Sequence, residues 1–119
     1  MPVITIHALP PPDPKAVGRC LASATAALSA ALQQDRRGTW AQWVDVRAMQ
    51  VGAEPRTWRG HCPQVVIRAR AGRHGAVLQA GLKATAEAIA TALDLPLDDV
   101  WVHWVEIQPG RVFAGGGVR

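Results

Sequence analysis

The sequence predicts an α/β (α+β) domain in which a tandem β-α-β repeat forms one four-stranded sheet with two helices on one face. Three observations carry that reading. Two short runs rich in β-branched residues, each headed by a proline, have the composition of strands. Each is followed by an apolar stripe at helical spacing. The whole pattern then occurs twice at one offset: Pro2 matches Pro63, Ile6 matches Ile67, Leu21 matches Leu82, Leu32 matches Leu93, Trp40 matches Trp101, Trp43 matches Trp104 and Asp45 matches Glu106, every pair 61 positions apart with no gap. Two unrelated units of similar length would not repeat Trp-x-x-Trp-Val-[Asp/Glu] in register through a strand, a helix and a second strand. The chain reads as one domain made of two βαβ repeats, about 2–58 and 63–119, joined by a short connector.

Taken in order, Val3 to Leu9 is a strand, and Pro10-Pro11-Pro12-Asp13-Pro14 stops it because proline cannot continue a ladder. Asp13 or Pro14 opens a helix to about Gln34, with Val17, Leu21, Ala24, Leu28, Ala31 and Leu32 on one face. Arg36-Arg37-Gly38 ends it, and Trp40 to Met49 is the second strand. In the second half Val65 to Arg70 is a strand and Ala71-Gly72-Arg73 a turn. Leu78, Leu82, Thr85, Ile89, Ala92 and Leu93 mark the helix, Leu95-Pro96 with Asp98-Asp99 the loop, and Val100 to Ile107 the last strand.

A βαβ unit gives parallel strands with a right-handed crossover. Parallel sheets are normally covered on both faces, and apolar residues occur at both parities of Trp101-Val102-His103-Trp104-Val105. No third helix is present to cover the second face, so the sequence predicts that another copy of the chain does, in a homo-oligomer.

Composition narrows the function classes. A hydrophobic fraction of 49% suits a packed core, and no apolar run approaches the roughly 20 residues of a membrane span. The start has no basic segment leading into an apolar one, so a cytoplasmic protein is expected. Cys20 and Cys62 make neither a disulfide framework nor a metal site. A net charge of +4 raises nucleic acid as a partner, but the arginines are dispersed and only Arg36-Arg37 are adjacent. An anionic small molecule is the expected partner, with no nucleic acid and no membrane.

The first residues carry the chemistry. Removal of Met1, which a following proline favours, would make the Pro2 nitrogen a secondary amine. A terminal amine titrates near 8 (about 7.7–8.0), and burial or a nearby cation lowers that by disfavouring the protonated form. Such a group is a base poised for proton transfer at neutral pH.

Amino-terminal proline, a doubled βαβ unit and a glycine-rich tail together resemble the tautomerase superfamily. The second half is most similar to 4-oxalocrotonate tautomerase, through Pro63, Ala71-Gly72-Arg73, Ala92-Leu93-Asp94-Leu95-Pro96-Leu97, Val100 to Glu106, and Phe113-Ala114-Gly115-Gly116. The first half matches through Pro2-Val3-Ile4-Thr5-Ile6-His7 and the repeat itself. The resemblance implies a fused, tautomerase-like chain that forms a homotrimer, with Pro2 as general base and Arg73 binding a substrate carboxylate. Arg70 resembles the first arginine of the Arg-x-x-Arg pair in the cis-3-chloroacrylic acid dehalogenase branch. Phe113 is placed at the family's tail aromatic. A guanidinium suits both tasks, gripping carboxylate in a bidentate fork and favouring a neutral base beside it.

The departures are as informative. Pro63 is internal, its nitrogen an amide, so one active site per chain is expected. The first half has Pro12 where the second has Arg73, and Trp101 stands where the family keeps a further arginine, which Arg70 would replace. The tail has no acidic residue to activate water, which argues against hydratase or dehalogenase chemistry. The reading is a cofactor-independent, metal-free tautomerase (isomerase) acting on a carboxylate-bearing 2-hydroxydienoate or enolpyruvate. Pro2 is its catalytic base and Arg70 and Arg73 bind the carboxylate, with an apolar wall from Trp101 and Phe113 of the same or a neighbouring chain. The alternatives are a proline-dependent hydratase or dehalogenase on small unsaturated acids, and a non-catalytic trimeric scaffold. His7 and His103 are expected as packing residues and His74 as a solvated helix start. His61 and Trp58 fall in the connector, with Trp58 covering apolar surface, and Asp45 and Glu106 are expected in structural ion pairs.

Overall fold

A computed structural model describes residues 1–57 and 61–119; Trp58 lies outside them. The elements are β1 (Val3–Ala8), α1 (Lys15–Leu32), β2 (Trp40–Asp45), β3 (Gln50–Val51), β4 (Glu54–Pro55), β5 (Gln64–Arg70), α2 (Gly75–Leu93), β6 (Trp101–Ile107), β7 (Phe113–Ala114) and β8 (Gly117–Val118). A short 3-10 turn precedes each of β2 and β6, at Arg36–Gly38 and Leu97–Asp99. The four long strands form one sheet in the order β2-β1-β5-β6. β1 pairs parallel with β2 and β5 parallel with β6, while the two repeats meet through antiparallel β1 and β5.

The duplication is visible in the backbone. Both prolines are fully buried, and each carbonyl accepts the N–H that opens the partner strand: Trp40 to Pro2 at 3.0 Å, Trp101 to Pro63 at 3.1 Å. Both helices end on a left-handed residue, Gln33 at φ 54° and Asp94 at φ 53°. Each turn is closed by the next N–H, Gln34 to the Ser29 carbonyl and Leu95 to the Ala90 carbonyl. The α1 start is held by Asp13, whose carboxylate accepts the Lys15 N–H at 3.0 Å.

Strand alternation sorts the sheet into two faces. Ile4, Ile6, Ala8, Val65, Ile67 and Ala69 are buried beneath the helices. There they meet Cys20, Ala24 and Leu28 of α1 and Ile89 and Leu93 of α2, with Trp43 and Trp104 packed at the margins. Full burial of each Ile or Leu contributes about 1.5–3 kcal/mol, so this layer dominates folding. Burial also pushes the Cys20 thiol up to about 12, which leaves it an inert apolar residue.

The other face carries no helix. Trp40, Val44, Trp101 and Val105 stand exposed on it, beside His7 on β1 and His103 on β6. The two histidines therefore lie on the open face and not in the helix-covered core. The second strand stops at Asp45, four residues short of the expected Met49, because the chain turns there into the β3–β4 hairpin. The Asp45 carboxylate accepts the Trp43 indole N–H at 2.8 Å. Among the described residues neither Asp45 nor Glu106 pairs with a cation, so the expected ion pairs are replaced by an indole contact at Asp45. No described helix is long and apolar enough to cross a membrane.

Candidate active site

Antiparallel pairing decides which residues meet. Val3, the first residue of β1, lies opposite Arg68, so the end of β5 and its Arg70 come alongside the chain start. Val3 also pairs with Trp40 on its other side. Beyond β6 the chain folds back as the β7–β8 hairpin, whose turn holds Gly115 and Gly116 at φ 61° and 83°. Only glycine adopts such angles without cost. The result is a cavity of about 350 Å³ lined by Met1, Val3, Trp40, Arg70, Phe113 and Arg119 among others. One chain supplies all of these, so Arg70 faces the amino-terminal residues of its own chain.

The electrostatics favour a base here. The Met1 amino group is held below its usual value of 8.0, first by burial and then by the positive fields of Arg73 and Arg70. Pro2, one residue further in, is fully buried. Its neighbours on both sides, Met1 and Val3, line the cavity.

Arg73 is placed differently from Arg70. Its guanidinium donates to the Arg70 carbonyl at 3.1 Å and to Gln34 Oε1 at 3.2 Å, and lies 6.0 Å from the Trp104 ring centroid. Gln34 in turn donates to Thr39 Oγ1 at 3.1 Å, and Ser29 donates to the same oxygen at 2.7 Å. Thr39 precedes Trp40, whose N–H holds the Pro2 carbonyl. A polar chain thus runs from Arg73 to the proline. Arg73 reaches the amino group by its field and does not line the cavity.

Of the sequence-predicted site residues, the fold brings together Pro2, Arg70 and Phe113, with Arg73 behind them. Within one chain it does not bring Trp101. That side chain lies at the opposite end of the sheet, beside Pro63, where it lines a cavity of about 460 Å³ with His7, Gln64 and His103. The two cavities are the two copies of one site, Val3 corresponding to Gln64 and Trp40 to Trp101. The tryptophan at the amino-terminal end is Trp40, for the reason that β2 and not β6 pairs with β1. The repeat pointed to this: Trp40 is adjacent in register to Pro2 as Trp101 is to Pro63. Arg119 was missed entirely, since nothing in the linear sequence marks where a hairpin will return the chain. His74 caps α2, its Nδ1 accepting the Ala76 N–H at 3.3 Å, and His61 is completely buried. Among the described residues no group of His, Cys, Asp and Glu is arranged to hold a metal ion.

No family model matches the sequence, and no curated protein does. Solved structures do resemble the fold. A fused 4-OT, described as an asymmetric trimer, aligns at 19% identity with a TM-score of 0.88, over 98% of this chain and 94% of its own. A protein inactivated by 2-oxo-3-pentynoate aligns at 14% identity and 0.89, over 98% and 94%. A member of the cis-3-chloroacrylic acid dehalogenase family aligns at 20% and 0.80, over 98% and 82%. At these identities the likeness establishes the fold: the chain is built as a fused tautomerase is, two βαβ units in one four-stranded sheet.

Proposed function

We propose that this chain, which shares the fused tautomerase fold, is a cofactor-independent tautomerase of the cytoplasm, acting on a small enol acid. With Met1 removed, the Pro2 nitrogen is a secondary amine opening on the cavity. It accepts the enol hydroxyl proton and returns a proton to carbon, so that the enol becomes its keto isomer with no net gain or loss. Arg70 holds the substrate carboxylate, and Arg73 holds Arg70 and keeps the amine neutral. Trp40 and Phe113 form the apolar wall.

The observation that supports this most is the cavity itself, which sets the chain start against Arg70 and where burial and the fields of Arg73 and Arg70 hold the Met1 amino group below its ordinary value. A base with a cation next to it is the arrangement that general base catalysis of carboxylate substrates needs. The exposed apolar face with Trp101, Val44 and Val105 supports assembly with further copies. The trimers described for fused 4-OT structures favour a homotrimer here.

Ultraviolet-monitored ketonisation of 2-hydroxymuconate and phenylenolpyruvate tests the reading, with intact mass establishing loss of Met1. The expected result is turnover by the parent and a fall in kcat/KM of about 10²-fold or more in Pro2→Ala, the range general base catalysis supplies. Equal rates in parent and variant would refute the assignment of the base.

A further inference from the structure

Four polar side chains at the Pro2 pole of the sheet have apolar twins at the Pro63 pole. Arg73, Gln34, Thr39 and Ser29 form one hydrogen-bonded network, with links of 3.2, 3.1 and 2.7 Å. At the constant offset of 61 positions their counterparts are Pro12, Leu95, Val100 and Ala90. Ala90 is buried, and Leu95 and Val100 pack against the core. The duplicated fold is thus completed at one pole with nothing polar in these places, so the network at the other is not a demand of the fold.

Gln34 is tied down at both its backbone and its side chain. The left-handed Gln33 turns the Gln34 N–H back onto the Ser29 carbonyl at 3.0 Å. The Gln34 amide nitrogen donates to Thr39 Oγ1, and both Thr39 and Ser29 are buried. Gln34 Oε1 is thereby presented to Arg73 Nη2, while Arg73 Nη1 donates to the Arg70 carbonyl at 3.1 Å. Both acceptors of Arg73 are neutral, and among the described residues its guanidinium makes no ion pair. A carboxylate in place of the amide would bind the guanidinium more strongly and cancel its charge. An amide holds the cation and leaves its field whole.

We propose that Gln34 is a positioning residue: it fixes the Arg73 guanidinium outside the cavity, as an uncompensated charge that acts on the chain-start amine and not on the substrate. The proposal rests on the base assigned above. Gln34, Thr39 and Ser29 belong to the first repeat and Arg73 to the turn after β5 in the second, so the contact sets one repeat's arginine by the other repeat's helix end. Without Gln34 one of the two hydrogen bonds is left, and the long side chain spreads over rotamers that carry its charge further into water, where its field is screened.

Titration of the amino-terminal nitrogen by ¹⁵N NMR reads the effect without turnover, with intact mass showing whether Met1 is present. Gln34→Glu should raise the pKa of that amine by at least half the rise seen in Arg73→Ala, with a Tm no lower than the parent's. Loss of the charge with the contact kept is a result that a merely structural glutamine would not give. Gln34→Leu should raise the pKa less, and should add no further rise to Arg73→Ala, because it acts through that arginine. On the acid limb of phenylenolpyruvate ketonisation both variants should lower kcat/KM by about two- to fivefold, a loss that fades as pH rises past the limb. An unmoved amine in Gln34→Glu, or an equal rise from Gln34→Leu with and without Arg73, would overturn the proposal. Failure of the base reading is distinguishable: a retained Met1 removes Pro2 as the base, while the same order of variants, read on the Met1 amine, still decides the role of Gln34.

Discussion

Replacing Arg73 by alanine separates two roles for this residue, a ligand for substrate and a modulator of the base. The side chain makes two hydrogen bonds and one cation–π contact at the outer limit of range. Net values of about 1 kcal/mol for a hydrogen bond and ~0.5 kcal/mol for an exposed cation–π pair sum to roughly 2.5 kcal/mol. Water reaches the Arg70 carbonyl contact, so the expected loss is nearer 1–2 kcal/mol, a drop in Tm of about 4–10 °C for a domain of this size. The catalytic effect follows from charge. Arg73 lowers the basicity of the Met1 amino group, and under the proposed function its field acts on the Pro2 amine in the same sense, so its removal raises that pKa and a larger fraction of the base is protonated at any given pH. The acid limb of the pH–rate profile for phenylenolpyruvate should move to higher pH, with rate at alkaline pH nearly restored. Arg73→Lys keeps the charge and should leave the limb close to the parent's. An unmoved limb with a large increase in KM would refute the reasoning and return Arg73 to the substrate.

Two further outcomes test the scaffold. An added Cβ at Gly81 would lie 3.1 Å from Leu28 Cδ1 and 3.3 Å from Trp104 Cζ3. Gly81→Ala therefore sets a helix-propensity gain of about 1 kcal/mol against overpacking of about 1–3 kcal/mol; chemical denaturation should show a net loss of up to ~2 kcal/mol, and a stabilised variant would mean the helices part freely. His61 is buried and held below its usual value by that burial, against an opposing pull from Asp99. The unfolded chain binds the extra proton below about pH 6.5, so stability should fall as pH drops through that value, by at most ~1.4 kcal/mol per pH unit. His61→Gln should flatten the slope, and an unchanged slope would assign it to other groups.

How far the sequence foretold this structure depends on whether the signal was local or long-range. Strands, helices and their repeat were legible because alternation, helical spacing and a constant offset are properties of neighbouring residues. Arg70 was singled out through its resemblance to an Arg-x-x-Arg pair, and the fold sets it at the end of β5 beside the chain start. The position of Trp101 was not, because it depends on which strands become neighbours. The family resemblance named Trp101 as a wall residue, of the same or a neighbouring chain, whereas within one chain the order β2-β1-β5-β6 sets its twin, Trp40, beside the chain start. The contacts of Arg73 were hidden for a related reason. Gln34 reaches it only because Gln33 adopts a left-handed turn at the end of α1, and a glutamine there carries no special signal. Arg119 needed the fold-back of a hairpin whose glycines were visible but whose destination was not.

The duplication also explains why one pole of the sheet carries the cations that the proposed chemistry needs and the other does not. Both poles have a buried proline, a tryptophan bonded to its carbonyl and a cavity beside it. The residues corresponding to Arg70 and Arg73 in the first repeat are Leu9 and Pro12, so the Pro63 pole receives no cation from the end of β1. The Pro63 nitrogen is an amide and has no use for one. Antiparallel pairing of β1 with β5 makes each pole a composite, the start of one repeat set against the end of the other. The charge that the proposed base at Pro2 would require must therefore be encoded in the second repeat. Arg70, Arg73 and Arg119 all lie there, and their loss would leave the first repeat unchanged in sequence while removing, among the described residues, the cations that line or act on the cavity at its start.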